Sequence, residues 1–194
     1  LYADDYEANK HFFLGQYFYD NYDAALANMP VISSNVTITN IEVWVTNRSG
    51  VTQNVRNILA FQDLGENLNR VHNTSNVYAG SLNAANPDNK NNSLDPAILV
   101  SDFPNIRNVS QITSSLNGSG FEQAVDYEKI ENAKKLTSSE YSFDPRLGFI
   151  SLNQALNSDE VLAIAFQYTN NGTPHQVGEL STDVASPDAL VLKL

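Results

Sequence analysis

The strongest alternation in the chain is EVLAIAFQYT (160–169), which sets Leu162, Ile164, Phe166 and Tyr168 against Val161, Ala163, Ala165 and Gln167. At a period of two these sets fall on opposite faces of an extended chain, and both are mostly apolar, so the segment reads as a central strand covered on both sides. Its small alanines leave room for something to pack closely. TITNIEVWVTNRSG (37–50) also alternates, with Ile41, Val43 and Val45 on one side and Asn40, Glu42, Trp44 and Thr46 on the other. The apolar phase shifts between Ile38 and Ile41, so the strand predicted over 36–46 needs a bulge at Thr39 or Asn40. Turn residues at 47–50 followed by the apolar run 57–61 predict a hairpin. Between 140 and 180 the strand-like phrases EYSF, FISL and HQVGEL are separated from one another and from the central strand by DPRLG, LNSD and NNGT turns.

Helical periods are fewer. In HFFLGQYFYDNYDAALANMP (11–30), Phe13, Tyr17 and Phe18 predict one aromatic helix face, weakened by Gly15 and stopped ahead of Pro30. Asp95 followed by Pro96 is an N-cap with proline at the first helical position, which opens a short helix over AILV. A second helix is expected after Asp102, with Ile106, Val109, Ile112 and Leu116 on one side and Gly118 past its end. GFEQAVDYEKIENAKKL (120–136) fits a helix loosely and a strand equally well. Residues 67–95 are rich in Asn, Asp, Ser, Gly and Pro and read as a long polar surface loop, partly disordered.

These elements predict an α+β fold, mainly antiparallel sheet or sandwich with helices packed on it, in a single module spanning 1–194. A two-sided strand needs a second layer, which 11–22 and 96–116 can supply. Trp44 is then expected to be covered. The alternative leaves it on an open face as a platform for a sugar ring.

Composition narrows the partners. At 194 residues and 21.4 kDa the chain suits one domain, and a domain of this size buries roughly 70% of its unfolded surface. A net charge of −11 repels phosphate backbones and anionic lipid, which argues against nucleic acid and acidic membrane surfaces. There is no cysteine, so disulfides and thiolate metal sites are excluded. The longest apolar run, VLAIAF at 161–166, falls short of the roughly 20 residues of a membrane helix, and no direct membrane insertion is expected. The chain opens at Leu1 without methionine and ends on the apolar LVLKL, as a piece cut from something longer would. Asn-rich composition generates sequons such as Asn35-Val36-Thr37 and Asn171-Gly172-Thr173 by chance.

Candidate chemistry is sparse. His11, His72 and His175 are far apart in sequence and have no partner at metal-ligand spacing, and no nucleophile elbow, phosphate loop or zinc-protease motif is present. Asp88 and Asp95, with the asparagines between them, are calcium candidates, though their order is not that of an EF-hand. Asp4, Asp5 and Glu7 read as a solvated charge cluster. Asp159 and Glu160 are adjacent, so on a strand they point apart and do not form a glycosidase pair. No catalytic residue and no cofactor is expected.

Taken together, FFLGQYFYDNYDAALANMP, TITNIEVWVTNRSG, RNILAFQDLGE and DPRLGFISLNQALNSDEVLAIAFQYTNNGTPHQVGEL resemble the SprA/Sov family of gliding-motility and secretion proteins of Bacteroidetes. The resemblance covers nearly the whole chain in long phrases, except the Asn-rich 83–92. It implies a folded insert of a large outer-membrane β-barrel, the translocon of the type IX secretion system, acting in the cell envelope without catalysis. The partners implied are the parent barrel, other secretion subunits or secreted cargo. A surface once covered by such a partner is expected at the aromatic segment, Phe12, Phe13, Tyr17, Phe18 and Tyr22, and at the terminal Leu190 and Leu192.

Overall fold

The computed structural model describes residues 7–80 and 86–194. Its elements run β1 (His11–Phe13), α1 (Gln16–Leu26), β2 (Val36–Val45), β3 (Val55–Phe61), α2 (Pro96–Asp102), α3 (Ile112–Asn117), β4 (Tyr127–Lys135), β5 (Tyr141–Asp144), β6 (Phe149–Leu152), β7 (Leu162–Asn170), β8 (Thr173–Val177) and β9 (Leu190–Lys193). The fold is α+β, as the alternation predicts. The larger sheet has the order β2-β4-β3-β9-β7-β8, and β2 also pairs with β7, so five strands close into a barrel-like ring with β8 attached to β7. A second sheet has the order β1-β6-β5.

Register shows how the ring closes. Through β4, Val45 stands opposite Lys134, and Lys134 opposite Val55. Around the other way, Val43 stands opposite Ile164, Ile164 opposite Lys193, and Lys193 opposite Phe61. The two routes reach β3 at its opposite ends, which is the stagger that tilted strands in a closed ring require. The bulge in β2 lies between Ile38 and Asn40. It brings Val36 and Ile38 onto the same face as Val43.

The ring separates two clusters. Trp44, Ile58, Ile130, Leu190 and Leu192, with Ala60, Ala133, Ala163 and Ala165, come from all five strands and fill the inside. The outer face carries Val43, Phe61, Tyr127 and Phe166, and against it pack Phe18 of α1, Leu99 of α2 and Leu116 of α3. Trp44 is 1% exposed, as expected, but the helices are not what covers it. They lie outside the ring, whereas Trp44 points inward opposite Ala163.

Residues 178–189, between β8 and β9, lie against the inner cluster through Leu180 and Val184. Glu42 accepts hydrogen bonds from the backbone N–H and hydroxyl of Ser181 at 2.9 and 2.7 Å and pairs with Lys135 at 2.6 Å. Arg56 donates to the carbonyls of Val184 and Asp188 at 2.8 and 3.0 Å. Burial alone would raise the Glu42 pKa, but the Lys135 and Ser181 hydrogen bonds outweigh it and hold the carboxyl below its ordinary value.

Three expectations are corrected. The β2–β3 hairpin does not form, because β4 pairs with β3 along its length and with the end of β2, and so stands between them. The helix after Asp102 is only α3, with residues 103–111 in turns that still bury Ile106. The described parts of 67–95 are ordered. Asn91 and Asn92 are fully buried, where their amides donate to carbonyls of Gly65, Asn86, Asp63 and Glu66 at 2.7–3.0 Å. Asp95 caps α2 as predicted, accepting from the Ala97 N–H at 3.0 Å. No helix among the described residues is long and apolar enough to cross a membrane.

Candidate interaction surface

The chain turns from strand to helix at Gly15, where the first helical N–H groups need acceptors. No side chain at Gly15 caps α1; instead Glu66 reaches over from the DLGE turn and accepts from the Gln16 N–H at 3.1 Å. A carboxylate there also suits the positive end of the helix dipole. Glu66 is buried and pairs with the buried Lys193 of β9 at 3.1 Å, so β9, the turn and α1 share one ionic contact. On the other side, Gly148 lies at φ +67°, and a Cβ there would meet Phe18 at 2.0 Å. That close approach seats α1 on the β5–β6 turn, where the Asp144 carboxylate accepts from the Arg146 and Leu147 N–H groups, each at 2.8 Å.

This frame presents aromatic rings at one corner. Phe13 pairs in register with Phe149, and its ring meets Tyr19 and Tyr22 edge-on at 5.5 and 5.3 Å. Phe13 is 37% and Tyr19 64% exposed. Two cavities flank Phe13, and both are lined by Phe13 and Leu194. One, of about 400 Å³, runs over Phe12, Ile150, Leu162 and Ile164. The other, of about 590 Å³, lies between Tyr19 and the charged Glu66, Arg70 and Lys193.

The predicted surface residues divide accordingly. Phe13 is exposed, while Phe12, Tyr17 and Tyr22 are half-buried. Burial raises the Tyr17 pKa, with the Arg70 charge opposing. Phe18 is buried against Phe166 and Tyr168, with ring centroids 5.9 and 6.4 Å away. Leu190 and Leu192 are fully buried inside the ring and offer no surface, so within the terminal apolar run only Leu194 is exposed. Tyr19 was the residue missed. It stands three positions before Tyr22 on the helix, and that spacing was the available signal.

The remaining polar candidates are occupied locally. Asp88 caps a 3₁₀ turn through Lys90 N–H at 3.0 Å and pairs with His175 Nδ1 at 2.7 Å. Among the described residues no group of three or more His, Cys, Asp or Glu could hold a metal. Asp4 and Asp5 lie outside the described residues. Asp159 and Glu160 both pair with Arg48. Trp44 is not on an open face and is unavailable to stack on a sugar. Glu7, His11 and Ser151 form a carboxylate–imidazole–hydroxyl chain, with contacts of 3.0 and 2.8 Å. It sits on an exposed sheet face, and none of the three lines either corner cavity.

A family model described as "Motility related/secretion protein", SprA_N, matches residues 1–157. The chain belongs to this family. The SprA_N match includes β1–β6 and all three α-helices, and therefore the aromatic corner, whereas β7, β8 and β9 follow it. No curated protein matches the chain.

Proposed function

We propose that the chain is a non-catalytic interaction module of an SprA-type translocon, a folded insert of an outer-membrane barrel that supports protein export and gliding motility. Membership of a motility and secretion family carries the reading. The exposed Phe13, which lines both cavities, and Tyr19, which lines the larger of the two, support it, since contiguous exposed aromatics mark surfaces that meet a partner. On this reading the module contributes shape and binding surface while chemistry belongs to no residue of its own. The test is an in-frame deletion of the module from the full-length gene. The barrel should still insert in the outer membrane while export of cargo or surface adhesins falls. Wild-type secretion by a strain with a normally assembled barrel would overturn the proposal.

A further inference from the structure

The cavity of about 400 Å³ beside Phe12 is apolar at its base and acidic at its edge. Ile150 and Ile164 are buried beneath it, while Phe12, Leu156 and Leu162 are half-buried and so keep accessible apolar surface. Among the described residues its only charged lining residues are Glu128 and Glu160. Glu128 accepts a hydrogen bond from the Gln123 amide at 3.2 Å, and no Lys or Arg pairs with it among the described residues. Glu160 shares a single guanidinium, that of Arg48, with Asp159, so these three side chains together keep one negative charge. No Lys or Arg lines the groove among the described residues, and of its two carboxylates only Glu128 lacks a cationic partner there, since Glu160 also accepts from the Asn157 N–H and side-chain amide, each at 2.7 Å.

We propose that this groove docks a segment of a partner polypeptide in which one or two apolar side chains stand beside a lysine or arginine. The apolar groups lie over Phe12, Leu156 and Leu162, and the cation meets Glu128, with the residual negative charge of the Arg48, Asp159 and Glu160 group at the same cavity's edge. This rests on the interaction-module reading and names the partner's chemistry. The volume suits a few side chains of an extended segment rather than the face of a whole helix. Charge selects among occupants. The net charge of −11 steers a cationic segment inward, and it makes a second copy of the chain or an anionic lipid surface a repelled one.

Photo-cross-linking in cells carrying the full-length protein tests the proposal, with a photoreactive residue at Leu156 and, as control, at the exposed Val51. Leu156 should yield cross-linked peptides from another protein in which the reacted apolar residue neighbours Lys or Arg, and Val51 should not. Glu128→Lys should cut the Leu156 yield about tenfold, since it replaces an attraction by a repulsion. Glu128→Gln, which keeps the side chain's size and one amide oxygen as acceptor, should fall between. Cross-links to a second copy, to this chain itself or to peptides without cations would overturn the proposal, as would a yield insensitive to Glu128→Lys. If that insensitivity accompanied an export defect in the deletion strain, the groove assignment would fail while the module reading stood. A deletion strain that secreted normally would remove the reading itself.

Discussion

Trp44 occupies a space made for it by residues too small to fill the ring themselves. Ala163 stands directly opposite, and Ala60, Ala133 and Ala165 belong to the same enclosed cluster, so the largest side chain of the interior is surrounded by the smallest. The Lys135 ammonium lies 5.6 Å from the indole centroid, and Nε1 has no hydrogen-bond partner among the described residues. Emission from this sole tryptophan should therefore lie at the blue end of its range and resist iodide. A fully hydrated emission maximum with easy quenching would contradict its placement. Truncation leaves a hole that alanines cannot close, so Trp44→Ala should cost about 3 to 5 kcal/mol, read from the shift in denaturant midpoint at unchanged slope.

At the scale of elements, the segment 178–189 is held over the ring by charge as much as by Leu180. The Glu42 carboxyl titrates below its ordinary value of 4.5, so it binds its proton less readily folded than unfolded. The stability it contributes is fully present above that ordinary value and is lost as pH falls through the lower folded one. Glu140, held low by Lys134 and by the Thr137 N–H, acts in the same direction. Glu42→Gln should lower stability at neutral pH by about 1 to 3 kcal/mol and flatten the decline below pH 4.5. An acid limb as steep as wild type would show that Glu42 is not what couples this segment to pH. The same scale shows what could be read from the sequence. The bulge near Thr39, the Asp95 cap and the two-sided strand at 162–170 are local or periodic signals, and each was legible. The insertion of β4 between β2 and β3 was not, since it is a pairing across more than 70 residues of chain (Ile58 with Ile130, 130 − 58 = 72) and nothing in either strand names its neighbour. Asn91 and Asn92 look solvated in the sequence because their burial depends on carbonyls supplied by a distant turn. Phe18, Leu190 and Leu192 carry no mark separating core from contact surface, so the candidate surface was half legible: Phe13 could be named, and the acidic groove beside it could not.

For the whole molecule, the boundary of the SprA_N match is informative. Residues 1–157 supply β2, β3 and β4 but neither β7, which pairs with β2 along its length, nor β9, which joins β3 to β7. A chain ending at 157 would leave Trp44 and Ile58 facing water and the edges of β2 and β3 unpaired. It should show no cooperative thermal transition, whereas residues 1–194 should unfold in one. A cooperative transition of near-native midpoint in the shorter chain would mean that the ring is not the unit of stability.

The parallel pairing of β3 with β9 also sets an order in time. Ile58 must wait for Leu190, 132 residues later (190 − 58), before its strand has both neighbours. Long-range closure of this kind is slow, and a chain made or delivered from its N-terminal end spends that interval with its inner strands open to misassembly. β3 therefore stays without its full set of partners until residues 190–193 arrive, and that four-residue strand acts as the latch that closes the ring.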